Sequence, residues 1–531
     1  MTIKDRKTEA MMKYKVLITT SGVGSRLGNL TNFTNKCLIR IGDKPAISHI
    51  IEKYEANTEF VITLGYYGDH VRQFLNLCYP EHNFTFVEVK NYEGPGSSLC
   101  LSILSAKEFL QTPFIFNACD TIVGNSDTIP TPDHNYCAGS QKENTSQYTT
   151  LLLDGNRVTK INKKGSLNFD VPYMGICGIK DYESFWNILE NFYNLNKNDQ
   201  TIFEGDIINE MIKTSSFRFH KVNEWYDMGN TEELKKTRQS FQCSVEILDK
   251  MNESIFLFDD YVVKFFHEKN IVSDRVKRAK LMKLIVPEII GSSDNFYKYQ
   301  KAEGSLLAKT INEEKFLDFL KWTKKNLWII DKNREIKKEC HAFYFDKTFM
   351  RIDKFLENNV ELENVKINGV RIPSIAKMIE QIDKDWLCSG ICSRIHGDFI
   401  LDNIIETNLD FKLIDWRQNF AGVLEYGDLY YDLAKLNHNL ILNHEVLESN
   451  GFLIETTEQE ITCDVLCRKK MIDCQEKFHR FIQDNGFDLK KVRILTSIIW
   501  INMAPLHEYP LNKFLFYFGK FNLHRELKNA Q

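Results

Sequence analysis

The 531-residue chain has no apolar run approaching the ~18 residues that a membrane-spanning helix needs. Its longest candidate, around Ile498 to Leu506, contains Asn502 and Pro505 and reads as a core helix. There is no excess of positive charge: 68 Lys and Arg stand against 72 Asp and Glu, a formal net charge of −4. Nothing in that balance calls for a nucleic-acid partner or an anionic surface. Thirteen cysteines are present, odd in number and scattered. In the pairs Cys388/Cys392 and Cys463/Cys467 a helix would place both thiols on one face. No histidine or further cysteine completes a zinc pattern beside them, Cys474 aside, so reduced, buried thiols are expected. Residues 1–13 lack the apolar core of a signal peptide. There is no internal repeat and no low-complexity linker. These absences make the cytoplasm the expected location. The expected partners are small-molecule substrates, with no nucleic acid and no membrane insertion. The oligomeric state, a homo-oligomer included, is left open.

What is present is a chain too long for one core. Its first 240 residues alternate short β-like runs with amphipathic helices. "YKVLIT", "EFVITL", "NFTFVEV" and "PFIFNA" read as strands. "PAISHIIEKYEA", "YGDHVRQFLNLCY" and "SSLCLSILSAKEFL" read as helices. This alternation predicts an α/β domain with a doubly wound, mostly parallel sheet, and ligands beyond the carboxyl ends of its strands. The character changes near residue 241. "ESIFLFDDYVVKFF" predicts a hairpin, and long helical stretches dominate after about residue 305. The expected division is 1–240 and 241–531, with the join somewhere in 238–252.

The stretch "TTSGVGSRLGNLT" follows the first strand. Glycines at such a place let backbone N–H groups approach a phosphate. Gly22 and Gly24 fit a dinucleotide turn, but Leu27 takes the third glycine's place. The Gly-Lys-Ser/Thr of a Walker loop is missing. Instead Arg26 follows the glycines and Lys36 comes ten residues later, two cations beside a phosphate-binding turn built from Gly22, Gly24 and Ser25.

Gly22 to Gly28 with Leu30-Thr31 and Lys36 resembles the signature of the sugar-nucleotidyltransferase family, with Asn35 where that family usually has proline. The resemblance extends over about 225 residues. "YEGPGSSLCLSIL" is similar to the loop that contacts the nucleotide base, which implies roles for Gly94, Gly96 and Ser97. "ACDT" and "WYDMGNTEEL" are similar to the two metal-binding segments, implying Asp120 and Asp227 as Mg²⁺ ligands. The implied reaction joins two polyanions: a phosphate oxygen attacks the α-phosphorus of an NTP and pyrophosphate leaves. Its nucleophile is already anionic, so positioning and charge neutralisation should dominate. Mg²⁺ commonly takes only one or two carboxylates, with phosphates and waters completing its shell. Arg26 would hold the leaving phosphates and Lys36 the α-phosphate and acceptor.

A second pattern begins at Ile395. In "IHGDFILDNII" and "FKLIDWR", Asp398 is followed by Asn403 five residues on and by Asp415 seventeen residues on. That is the spacing of a kinase catalytic loop and its metal-binding aspartate. With Gly397 in place of arginine it resembles the aminoglycoside phosphotransferase and choline kinase family. The resemblance implies a bilobal α+β domain using ATP, with Asp398 as proton acceptor and Asn403 and Asp415 on Mg²⁺. It implies Lys264 on the triphosphate and Tyr299 to Ala302 beside adenine. "YGDLYYDLAKL" resembles that family's D-x-x-x-D-L helix, with Asp428 and Asp432. The helix "SDRVKRAKLMKL" offers no glutamate for Lys264; Asp274 or Glu268 could serve, or the pairing is absent.

Together the two patterns lead to the expectation of a bifunctional transferase. It would phosphorylate a small alcohol with ATP, then couple the phosphate to a nucleotide from CTP or UTP, giving an activated building block for a surface glycan or lipid. A sugar is slightly favoured on the strength of "WYDMGN". The rivals are a choline- or ethanolamine-type kinase with a cytidylyltransferase, and an inactive nucleotide-binding regulator. A quaternary ammonium would need an aromatic cage, for which Trp416, Tyr426, Tyr430, Tyr431 and Trp500 are the candidates.

Overall fold

The computed structural model describes residues 13–243, 250–361, 366–457 and 459–528. The polar start of the chain and part of the expected join at 238–252 lie outside them. The chain divides into two compact units. One comprises Met1–Lys269 with Gly291–Lys298, the other Asn270–Ile290 with Tyr299–Gln531.

The first unit is built on a nine-stranded sheet. Its spatial order is Asn83–Glu88, Glu59–Leu64, Lys15–Thr19, Phe114–Ala118, Val171–Ile179, Asn135–Gly139, Phe217–Lys221, Arg157–Asn162 and Thr150–Asp154. The first four are mutually parallel. Val171–Ile179 then runs antiparallel to both of its neighbours, and of the remaining pairs only Phe217–Lys221 with Asn135–Gly139 is parallel. The sheet is therefore mixed rather than mostly parallel. After Phe114–Ala118 the chain adds strands without a helical crossover between each, and such strands pair antiparallel.

Period-two alternation decides what each face buries. Val16, Ile18, Phe60, Ile62 and Ile115 join one core, with the helices Ala46–Ile51 and Gly68–Cys78. Leu17, Val61, Phe114 and Phe116 join the other, with helices Leu99–Leu104, Tyr182–Leu195 and Glu204–Met211. The strand Lys15–Thr19 lies between the second and fourth strands in chain order of the parallel block, so the chain leaves it in one direction and returns on its other side. That is the switch point at which such sheets open a crevice.

The expected hairpin forms, Glu253–Leu257 against Tyr261–Phe266. It packs within the first unit, although the expected boundary lay at 240/241. Phe256, Phe258, Val263, Phe265 and Phe296 belong to the same core as Phe74. The rings of Phe256 and Phe296 lie 5.6 and 5.9 Å from that of Phe74. An alternating apolar strand buries whichever partner face is available, and here Val263 and Phe265 point into that core while Lys264 points the other way.

The second unit is mainly helical, as expected after residue 305. Leu489–Met503 packs against Leu429–Ile441 and Leu511–Lys528. Gly519 permits the second approach: a Cβ there would sit 2.8 Å from Ile501 and 2.9 Å from the Ser497 carbonyl. A three-stranded sheet, Ser305–Leu306, Ile404–Glu406 and Phe411–Leu413, carries the loops of the second motif. The antiparallel pair Phe452–Thr456 and Glu460–Val465 was not anticipated. It places Cys463 on a strand, so Cys463 and Cys467 do not share a helix face. All thirteen cysteines are free thiols. Among the described residues no group of three or more His, Cys, Asp or Glu could hold a metal ion, and no helix is long and apolar enough to cross a membrane.

Candidate active sites

In the first unit the glycine turn leaves the carboxyl end of Lys15–Thr19. Gly24 and Gly28 adopt φ of +72° and +57°, the left-handed region that favours glycine. Leu27 is buried in the core and anchors the turn, while Ser25 and Arg26 are exposed. A Cβ at Gly22 would meet no atom within 4 Å, so the backbone there is open to a ligand. Asn35, fully buried, makes bonds that a proline at this position could not. Its amide donates to the carbonyls of Thr20 (2.8 Å) and Tyr66 (2.6 Å), and its Oδ1 accepts from the Cys37 N–H (3.0 Å). A proline could not tie the ends of two strands together in this way.

Those bonds set Lys36, whose Nζ lies 3.0 Å from Asp120 Oδ2. Burial works against the charge of both groups. The mutual attraction outweighs it, holding the Lys36 ammonium above and the Asp120 carboxyl below their ordinary values. Asp227 is brought alongside by a short antiparallel ladder, Trp225–Asp227 on Thr121–Val123, in which Asp227 pairs with Thr121. The Met228 N–H donates to the Asp120 carbonyl at 3.1 Å. Tyr148 Oη donates to Asp227 Oδ2 (2.9 Å) and the Gly229 N–H to Oδ1 (2.8 Å). Burial, then the charge of Asp120, raises the Asp227 pKa. Two neighbouring carboxylates, one of them made harder to ionise by the other, fit a divalent cation. With Mg²⁺ bound the pair would supply two of its oxygens.

Gly94 and Gly96 also have positive φ, +78° and +85°. Their loop is pinned: Ser97 Oγ and Gln200 Nε2 donate to the Gly94 carbonyl and Tyr193 Oη to that of Gly96. Ser98 caps helix Leu99–Leu104, and Ser102 bonds Ser21 at 2.7 Å. That last contact links this loop to the glycine turn. Three residues escaped the sequence reading. Tyr148 holds Asp227. Lys164 lies within the field of Arg26, Asp227 and Asp120, and desolvation, then Arg26, lowers its pKa. Glu204 is buried, with Oε2 lacking a partner among the described residues, and burial pushes its carboxyl up to about 7. Spacing alone could not reveal them, because each comes from the antiparallel half of the sheet or the helix after it.

In the second unit the HGD loop is held from behind. Buried Asp432 accepts the N–H groups of His396 (2.8 Å) and Gly397 (2.7 Å) and the Trp328 indole N–H (3.1 Å). Asp428 caps its own helix and accepts from Tyr344 and Ile391. Asp428 and Asp432 thus shape the loop. Asp398 Oδ1 lies 2.7 Å from Lys435 Nζ. Burial opposes its charge, but Lys435 outweighs burial and brings the Asp398 pKa down to about 2. Asn403 Nδ2 donates to the Asp398 carbonyl at 2.9 Å, and the Ile414 N–H donates to the Asn403 carbonyl, so Asp415 follows directly beside them. Asp415 has a φ of +62°, a strained geometry of the kind that collects at functional sites. Arg275 donates to its Oδ1 at 2.8 Å. An Asn and an Asp side by side fit one Mg²⁺ held mainly by phosphates, with Arg275 as its competitor for that oxygen.

The structure does not gather every expected residue into this unit. Lys264 is buried on Tyr261–Phe266, in the first unit. Tyr299 is buried with its ring 6.4 Å from that of Trp416, and Ala302 is half-buried on the following segment. Asp274 accepts from Asn419. The candidate cage residues do not form a cage. Trp416, Tyr430, Tyr431 and Trp500 are buried in the core, and the Tyr426 ring already faces Arg334 at 4.5 Å.

No family model matches the chain. Three curated relatives match in sequence, among them the following two. The bifunctional protein GlmU of Methanococcus maripaludis is 22% identical over 256 residues, 47% of this chain and 60% of that protein. The 2-aminoethylphosphonate cytidylyltransferase of Lancefieldella rimae is 25% identical over 217 residues, 40% of this chain and 85% of that protein. Among solved structures, apo UDP-glucose pyrophosphorylase is 17% identical, with 43% of this chain and 98% of that chain covered and a TM-score of 0.38. The N-terminal half therefore matches sugar and cytidylyl nucleotidyltransferases in sequence; the C-terminal half is not covered by these matches. The chain spans 60% of the length of the first relative.

Proposed function

We propose that the first unit transfers a nucleotidyl group from CTP or UTP to the phosphate or phosphonate of a small molecule. The reading rests above all on one observation, the Lys36–Asp120 pair set beside Asp227 at the strand ends. In the transfer an acceptor oxygen attacks the α-phosphorus, the α–β bridging bond breaks, and pyrophosphate leaves with its charge. Mg²⁺, when bound, neutralises the phosphates and orients them for in-line attack. Asp120 and Asp227 would hold it. Lys36 turns from Asp120 toward the α-phosphate and acceptor, and Arg26 meets the leaving phosphates. The backbone of Gly22, Gly24 and Ser25 faces the triphosphate, and the loop of Gly94, Gly96 and Ser97 faces the base. The likeness to a cytidylyltransferase supports CTP, and the "WYDMGN" segment supports a sugar phosphate as acceptor.

The second unit we read as a small-molecule kinase that prepares this acceptor from an alcohol and ATP. Asp398, kept ionised by Lys435, accepts the hydroxyl proton as the oxygen attacks the γ-phosphorus and ADP leaves. Asn403 and Asp415 would hold Mg²⁺, and Tyr299 to Ala302 would lie beside the adenine. The test is to incubate the protein with Mg²⁺, CTP or UTP and a panel of phosphorylated acceptors, following pyrophosphate. ADP formation from ATP and the parent alcohols is followed in parallel. Pyrophosphate release with no phosphorylated acceptor in the panel, or none at all with either nucleotide, counts against the first assignment. Absence of alcohol-dependent ADP counts against the second.

A further inference from the structure

The catalytic-loop aspartate of the second unit faces a group of cations larger than its own charge can balance. Asp398 is ion-paired with Lys435. Beside them lie Arg417, Lys347 and Arg351. The Arg417 guanidinium stands 4.8 Å from the centre of the Phe343 ring, and the Lys347 ammonium 4.1 Å from the same ring. Lys347 and Arg351 are four residues apart on helix Lys347–Leu356, hence on one face. Phe343 itself sits on the π-helical turn Ala342–Asp346, an irregularity that is frequent at functional sites. Arg417 is pressed against the loop: a Cβ at Gly397 would come 2.6 Å from the Arg417 Cβ, and Gly397 has a φ of +84°. Glycine in the H-G-D triplet therefore makes room for this arginine.

Among the described residues no carboxylate lies within ion-pair distance of Arg417, Lys347 or Arg351, and Arg417 Nε is buried without a hydrogen-bond partner. Arg351 donates only to the neutral carbonyl of Asn502, at 2.8 Å. We propose that this group is a binding site for an anion carried by the alcohol acceptor: a carboxylate, phosphate or phosphonate seated on Arg417, Lys347 and Arg351 while the hydroxyl meets Asp398. For the word acceptor the proposal rests on the kinase reading above; the anion site itself does not. Burial, then the neighbouring cations, pushes Lys347 down to about 6, the response of a partly desolvated amine that lacks a counter-ion, and an anion seated beside it would restore its charge. A quaternary ammonium would find the opposite of what it needs, since the Phe343 ring is already met by the Arg417 guanidinium and the Lys347 amino group. The fixed fork of Arg417 suits a planar or tetrahedral oxyanion.

The test uses the full chain. Thermal unfolding is followed with inorganic phosphate, with D-glycerate and with tetramethylammonium, each against sodium chloride at equal ionic strength, for the native protein and for Arg417→Gln, Lys347→Gln and Arg417→Lys. ADP release is measured with glycerol, D-glycerate, glycerol 3-phosphate and choline. Phosphate or glycerate should raise the Tm of the native protein. Each Gln variant should lose at least half of that rise and Arg417→Lys should keep most of it. Removing an unbalanced charge should leave the ligand-free Gln variants at least as stable as the native protein, so a folding defect is visible as such. The two anions separate a phosphate from a carboxylate preference. Full retention of the rise in both Gln variants, or no rise at all, overturns the proposal. So does faster ADP release with choline than with either anionic alcohol, a result that leaves the kinase reading standing. If no alcohol yields ADP while the rise still depends on Arg417 and Lys347, the kinase reading falls and the anion site stands.

Discussion

The two candidate sites handle charge in different ways. In the first, a lysine and two carboxylates stand together at strand ends, and the carboxylates are close enough for Asp120 to hinder ionisation of Asp227. Cations stand around them too, Arg26 and Lys164 among them, but among the described residues only Asp120 of the two is ion-paired, by Lys36, which leaves Asp227 as the acid open to a divalent cation. In the second, both acids are already matched, Asp398 by Lys435 and Asp415 by Arg275, and further cations stand around them. The surplus there is positive, as a site awaiting an anionic substrate requires. The scaffolds differ as well. The first site hangs on parallel strands tied by Asn35. The second hangs on one buried carboxylate, Asp432, that gathers the N–H groups of a loop.

The contrast can be broken at several points. Asp398→Asn keeps the shape of the loop but cannot take the hydroxyl proton. Alcohol-dependent ADP formation should fall on the order of 10²–10⁴-fold, with the far-ultraviolet spectrum unchanged. Because Asp398 titrates near 2, the native rate should show no loss from this group between pH 8 and pH 5. Lys36→Ala should lower pyrophosphate release by about 10²–10³-fold, the usual effect of removing one donor to developing charge. A rate within threefold of native in steady-state assay would remove Lys36 from the chemistry. Asp432→Asn turns an acceptor oxygen into a donor facing N–H groups. It should cost about 1–3 kcal/mol by denaturant unfolding and lower alcohol-dependent ADP formation while sparing pyrophosphate release.

The smallest effect concerns Glu204. A carboxyl raised from 4.5 to about 7 adds stability below pH 4.5 and loses it as pH rises through 7. Glu204→Gln should therefore match the native Tm near pH 4.5 and exceed it at pH 8. A constant difference across that range would mean that Glu204 is not buried as a neutral acid.

Much of the first unit was legible because its signals are local. Strand alternation fixed both faces of the parallel block, and "EFVITL" forms the strand Glu59–Leu64 as read. The glycine turn, Asp120 and Asp227 were legible as motifs. The antiparallel half of the sheet was not, since strands such as Thr150–Asp154 pair by tertiary context. For the same reason Tyr148 and Lys164 went unseen. The boundary near 240 was read from a change of composition, but the hairpin after it buries Phe256, Val263 and Phe265 in the first core. An apolar face shows in sequence; the core it joins does not. In the second unit the spacing of Asp398, Asn403 and Asp415 was plain. Arg417, Lys347 and Lys435 come from three separate elements, and no spacing relates them.

The central claim is that the chain carries two separate chemistries, and it is tested most directly by crossing two variants. Asp120→Ala and Asp398→Asn are each assayed for ADP formation from alcohols and for pyrophosphate release from phosphorylated acceptors with CTP or UTP. They are then mixed and given the free alcohol with both nucleotides. The account predicts that Asp120→Ala loses only pyrophosphate release, that Asp398→Asn loses only ADP formation, and that the mixture restores the nucleotide-linked product. Loss of both reactions in either variant, or undiminished pyrophosphate release by Asp120→Ala, would contradict it.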